Sequence, residues 1–78
     1  MRFHPSADRH GIDRADAEHV AHRGTTVVPL GEDPVRTLVI GFDRMARPLE
    51  VVVMHVRGEP VLIHAMRLRA GYYRLLKE

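Results

Sequence analysis

The change of period at Gly24 limits what this chain can fold into more than any other feature. Before it, Ala17, Val20 and Ala21 recur at helical spacing and give residues 14–23 a narrow apolar stripe. Asp13 is placed to cap that helix, Asp16 adds an acid to its first turn, Ile12 precedes the cap and Gly24 closes the last turn. A shorter turn from Ser6 to His10, stopped by Gly11, is expected ahead of it. After Gly24, β-branched residues take over and the pattern becomes extended.

Four strands are expected from there. The first covers 25–30 and ends at the turn cluster Gly31, Glu32, Asp33, Pro34. The others cover 36–42, 49–56 and 61–67, with breaks at 43–48 and 57–60. Connections this short imply antiparallel neighbours. The 49–56 segment is nearly all apolar, as a central strand covered on both faces would be. In the tail, Leu68, Tyr72, Leu75 and Leu76 fall at helical spacing, with Arg67, Arg69, Arg74 and Lys77 elsewhere around the cylinder. Gly71 weakens such a helix by about 1 kcal/mol relative to alanine, so the element is expected to depend on docking against the sheet. The expected fold class is α+β: an N-terminal helix or helices, a four-stranded antiparallel sheet and a C-terminal helix.

At 78 residues the chain has room for one domain, spanning 1–78, and one core. A domain of this size buries only roughly 60% of the surface its unfolded chain exposes. With no cysteine it has neither disulfide nor thiolate metal site to brace it. The absence of cysteine fits a reducing cytosol, the polar start Arg2 to Asp8 does not read as a secretory signal, and the longest apolar run, Leu49 to Met54, contains Glu50. A cytoplasmic protein with no membrane partner is expected.

The net charge is only +2, yet the pI is about 9.7, and from residue 44 onward there are seven Arg or Lys against three Glu. That asymmetry favours a polyanion for the C-terminal half, although an ordinary solvated basic face explains it equally well.

Nucleophilic chemistry has little to work with. The chain has no cysteine, its one serine is Ser6, and Gly58 and Gly71 stand alone rather than in a phosphate-binding loop. His19 and His22 are three apart on the helix, but a third ligand on that face is missing, so no metal and no cofactor are expected. His55 and His64 each interrupt an apolar strand, where a histidine must satisfy its ring nitrogens and is poised for proton transfer. Taken alone, either reads more readily as a hydrogen-bonded core or edge histidine, and Arg57, two residues beyond His55, and Arg67, three beyond His64, strengthen the functional reading.

Hairpin parity decides which of these residues meet. A two-residue Gly58-Glu59 loop would need an N–H that Pro60 lacks. A four-residue loop, 57–60, would put His55 beside His64. A three-residue loop, 58–60, would set His55 and Arg57 on the same face as Ile63, Ala65 and Arg67. The last is preferred, because it gathers a proton-transfer group and two guanidiniums, the parts that cleavage of RNA by its 2′-hydroxyl requires.

Three segments resemble the BrnT-type toxins of the RelE-like ribonuclease superfamily. Arg9-His10-Gly11-Ile12 is similar to that family's basic-His-Gly-Ile/Val element at the head of a helix. The run Arg47-Pro48-Leu49-Glu50-Val51-Val52-Val53 is similar to its arginine followed by a long apolar strand, and Val61-Leu62-Ile63-His64-Ala65-Met66-Arg67 to its last strand with a terminal arginine. The resemblance implies a RelE-like fold, ribosome-independent and metal-independent RNA cleavage, and neutralisation by a cognate antitoxin protein bound as a hetero-oligomer. By position it points to His10, Arg57 and Arg67 as catalytic, with His55 where the family places a small hydroxyl residue. Arg47, Arg69, Arg74 and Tyr72 are the expected RNA contacts. Leu68 departs from the family's usual lysine, and the stretch Arg69 to Tyr73 is less charged than its helix. The alternatives are a non-enzymatic RNA- or protein-binding module using the same basic face, and a small partner protein whose basic tail docks on an acidic surface.

Overall fold

Asp13 caps the helix as its position predicts, accepting from the Ala15 N–H at 2.8 Å, and helix α1 runs Arg14–Arg23. Gly24 ends it, its N–H reaching the Val20 carbonyl at 2.7 Å. Glycine is required here by proximity. A Cβ on Gly24 would stand 2.8 Å from the Val20 oxygen, and one on Gly41 would stand 2.7 Å from the Gly24 Cα. The paired glycines let the end of α1 touch the sheet directly.

The computed structural model describes residues 1–76 and forms one five-stranded sheet in the order β1-β5-β4-β3-β2. The strands are β1 (Arg2–Phe3), β2 (Thr26–Gly31), β3 (Val35–Phe42), β4 (Pro48–Val56) and β5 (Glu59–Arg67). β2 to β5 are antiparallel neighbours, whereas β1 lies parallel to β5, with Arg2 opposite Val61 and Phe3 opposite Leu62. Among the described residues no helix is long and apolar enough to cross a membrane.

This corrects the expected fold class. The sheet is five-stranded and mixed rather than four-stranded and antiparallel, because a two-residue strand is too short to display a period and its partner is the last strand in sequence. At the N-terminus there is a single α-helix, preceded by the 3₁₀ turn Pro5–Asp8. The expected C-terminal helix is a 3₁₀ segment, Ala70–Leu75, and the part of that expectation beyond residue 76 falls outside the described residues. Arg69 at its start makes no side-chain cap, and Gly71 adds its own cost to an α-helix. The tail instead follows its attachments to the sheet: the Leu68 N–H donates to the Pro48 carbonyl at 3.0 Å, and the Leu75 carbonyl accepts from Thr26 Oγ1 at 2.7 Å.

The sheet has two unlike covers. Helix α1 and the N-terminal segment bury Ala7, Ala17, Val20, Val39, Leu49, Val51, Leu62 and Ala65 on one face. The tail closes the other over Leu38, Ile40 and Leu68, with Val28, Val52, Tyr72, Leu75 and Leu76 packed beside them.

The β4–β5 hairpin also differs from expectation. Its loop is the two residues Arg57 and Gly58, at φ +53° and +80°, with Val56 opposite Glu59. Positive φ at both central positions is the signature of the tight turn whose twist suits a hairpin. Pro60 lies opposite His55, one pair beyond the closing pair, where alternation turns the missing N–H away from β4. Further along, the register slips once: Val52 faces His64 while Val53 faces Leu62, so Ile63 is the extra residue of a bulge. The bulge lets Leu62 and Ala65, three apart, both point toward α1, and it places His64 on the face beneath the tail.

Candidate functional site

Glu50 stands in the middle of the apolar β4, and alternation sends it to the tail face, where its side chain is only 1% exposed. A buried carboxylate is tolerated only with partners, and this one has a full set. Arg69 donates its backbone N–H at 3.2 Å and its Nε at 3.1 Å to Oε1, and its Nη2 at 2.6 Å to Oε2. His64 Nε2 lies 3.2 Å from Oε2. Burial pushes the Glu50 carboxyl up, but the bonds from Arg69 and His64 outweigh it and hold the group below its ordinary value. It remains a carboxylate at neutral pH.

His64 reaches this carboxylate from β5, opposite Val52 and one step diagonally from Glu50. Its ring is 27% exposed, so Glu50 fixes the orientation of an imidazole that solvent can still reach. With Nε2 engaged, Nδ1 is the nitrogen left to meet a ligand.

The His10 ring stands edge-on to that of His64, centroids 5.6 Å apart at 76°. The N-terminal segment puts it there. His4 donates its N–H to the Leu62 carbonyl at 3.0 Å, and Ser6 Oγ donates to the Ile63 carbonyl, which strap residues 4–6 along β5. The chain then turns at Gly11, at φ +73°, with its N–H on the Asp8 carbonyl at 3.1 Å. At the rim, the Arg69 guanidinium lies 5.2 Å from the centre of the Tyr72 ring.

The structure brings together only some of the residues expected from sequence. His10, Arg69 and Tyr72 converge around Glu50 and His64. His55 and Arg57 are exposed at the hairpin tip, whereas Arg67 is exposed at the far end of β5, opposite Leu49. The length of the strand separates Arg57 from Arg67 by roughly 25 Å. The concavity expected of a three-residue loop therefore does not form.

Arg47 is occupied elsewhere. Its Nε donates to Asp43 at 2.7 Å, its Nη2 lies 3.6 Å from Asp16, and Arg44 Nε donates to Asp16 at 3.0 Å. Asp43 also accepts the Met45 and Arg47 N–H groups, so Arg47 locks the β3–β4 turn against α1. Arg74 is exposed on the tail and has no ion-pair partner among the described residues. The sequence marks His64 as able to transfer protons but does not reveal Glu50 as its partner. A lone acid inside a central apolar strand is a signal in itself, since it has to recruit a cation and donors.

No family model, curated protein or solved structure matches this chain.

Proposed function

We propose that the chain is a cytoplasmic, metal-independent endoribonuclease toxin, cleaving RNA at the His10–His64 pair and neutralised by an antitoxin partner. The observation that carries the proposal is the pairing of two imidazoles, one oriented by a buried carboxylate, at a rim that also holds Arg69 and Tyr72. Cleavage by the 2′-hydroxyl forms a bond from that oxygen to phosphorus and breaks the bond to the 5′ oxygen. One group must take a proton and another must give one, each within roughly 3 Å of its oxygen. His64, held by Glu50 through Nε2, takes the proton from the 2′-hydroxyl on Nδ1. His10 delivers one to the leaving oxygen. Tyr72 offers a ring face for a base, and the guanidinium above it adds positive charge beside the phosphate. The resemblance of residues 9–12, 47–53 and 61–67 to BrnT-type toxins supports the same reading.

Expression of the chain alone should arrest growth and degrade RNA, and co-expression of the adjacent gene should restore growth. In purified protein, His64→Ala and His10→Ala should each lower cleavage by about 10²- to 10⁴-fold with RNA affinity retained, whereas His55→Ala should cleave like the parent. Unimpaired growth at a high level of folded protein would refute the enzyme reading, and equal cleavage by His64→Ala would remove the His10–His64 pair as its site. A non-enzymatic RNA-binding module is favoured by one other observation: Arg9, Arg57, Arg67 and Arg74 are exposed without carboxylate partners among the described residues. In that case arginine variants weaken binding, its salt dependence becomes shallower, and histidine variants change nothing.

A further inference from the structure

At the tip of the β4–β5 hairpin, away from the paired histidines, is an open depression of about 350 Å³ lined by Arg2, Val56, Arg57 and Glu59. Two arginines and one carboxylate line it. Glu59 Oε2 lies 3.3 Å from Arg2 Nη1, with 70% of the Arg2 side chain and 66% of the Glu59 side chain exposed, and a pair so exposed is weak enough to yield to a stronger anion. Arg57 has no carboxylate partner among the described residues.

The backbone supplies a second, independent observation. Arg57 occupies the first central position of the turn at φ +53°, a conformation that favours asparagine, aspartate or glycine. An arginine adds nothing to the turn and carries a conformational cost at that position. Strain of this kind collects where a side chain has a use beyond the fold. The use that matches a planar fork of donors at the mouth of a basic depression is an oxyanion, phosphate above all.

We infer that the hairpin depression is a phosphate-binding subsite, with Arg57 and Arg2 as its donors, that takes a phosphodiester of bound RNA outside the scissile bond. The RNA part of this inference rests on the function proposed above. His64 lies three residues beyond Val61, the partner of Arg2, which is about 10 Å along the strand, so the phosphate held here is not the one that reacts. The subsite therefore sets where the strand enters rather than how it is cut.

The test is an amide-resolved NMR titration of the whole chain, with inorganic phosphate in one arm and a 2′-O-methyl oligoribonucleotide, which cannot be cleaved, in the other. Both should shift the amides of Arg2 and of residues 56–59. Arg57→Asn, which keeps the left-handed turn, should bind either probe about tenfold more weakly, the loss of one charge-assisted contact, while its thermal midpoint stays level or rises. Glu59→Gln should bind more tightly. A purely structural Arg57 would leave affinity unchanged. Equal binding by parent and Arg57→Asn, or an equal response to chloride at matched ionic strength, overturns the subsite. Phosphate binding without an oligonucleotide response at these amides overturns its assignment to RNA. Loss of the ribonuclease reading would show separately, as a chain that cleaves nothing yet titrates at the hairpin.

Discussion

The two faces of the sheet are closed in different ways. Under α1 every buried contact in the cluster is apolar, from Ala17 and Val20 on the helix to Leu49, Val51, Leu62 and Ala65 on the strands. Under the tail the apolar cluster is smaller, and the closure depends on directional bonds: Glu50 to Arg69 and His64, and Thr26 to the Leu75 carbonyl. The first face is closed chiefly by excluding water, with the buried Asp16 and Asp43 paired to Arg44 and Arg47 where the β3–β4 turn meets α1. The second holds a charge in place, and the candidate site is on that face because a fixed carboxylate can orient an imidazole.

The largest effect that tests this contrast is truncation under the helix. Leu62 is fully buried, and Leu62→Ala should cost about 2–5 kcal/mol by urea denaturation, from lost burial plus the cavity left behind. Leu68→Ala, in the smaller cluster beneath the tail, should fall at the low end of that range. If Leu68→Ala proved the more damaging change, the division of labour between the faces would be reversed.

A smaller effect, with a particular pH signature, is expected from the carboxylate. Glu50→Gln should cost about 1–2 kcal/mol at neutral pH, less than breaking a fully buried pair, because 56% of the Arg69 side chain is exposed and water can compensate it. Glu50 is held below its ordinary value in the folded chain, so its stabilisation is complete above the unfolded carboxylate range, near about pH 4.3, and is lost as pH falls through the folded value. Asp43 has the same sign: burial pushes it up, and the Arg47 and Met45 N–H groups with the Arg47 guanidinium pull it below its ordinary value. Stability of the parent should therefore fall on acidification below about pH 4–5, and Glu50→Gln should show a shallower fall, with the remainder due chiefly to Asp43. Identical acid profiles for parent and variant would mean that Glu50 does not hold the tail face.

Sequence reveals the parts of the molecule that are local. Asp13, Gly24 and the apolar stripe of α1 act within a few residues of one another, and the β-branched segments announce themselves by composition. It is silent where a structure depends on register. The strand β1 has only two residues, and its partner is nearly sixty positions away. The Ile63 bulge decides which face His64 takes, and no composition encodes it. Pro60 obscures the hairpin, because a proline cannot supply the N–H that a two-residue Gly58-Glu59 loop needs. Moving that loop back by one residue, to Arg57-Gly58, puts the proline at a pair that needs no N–H toward β4. Glu50, His64 and Arg69 form a site only once that register is known, while Arg57 and Arg67, grouped by an assumed parity, lie at opposite ends.

The smallest expected effect is also the most local. Thr26 Oγ1 donates to the Leu75 carbonyl at 2.7 Å and is the tail's attachment to β2. One neutral hydrogen bond is worth about 0.5–1.5 kcal/mol net, and Leu75 is half-buried, so water can take the place of the hydroxyl in Thr26→Val. Global stability should therefore drop by about 1 kcal/mol or less. The clearer readout is hydrogen exchange. The Leu76 amide donates to Tyr73 and the Tyr72 amide to Arg69, both within the 3₁₀ tail, and both should exchange faster once the attachment is gone. Amides of α1, which closes the opposite face, should be unaffected. If tail and helix amides accelerated together, the tail would be part of the global folding unit rather than a separately fastened strap, and the contrast between the two faces would hold for chemistry but not for dynamics.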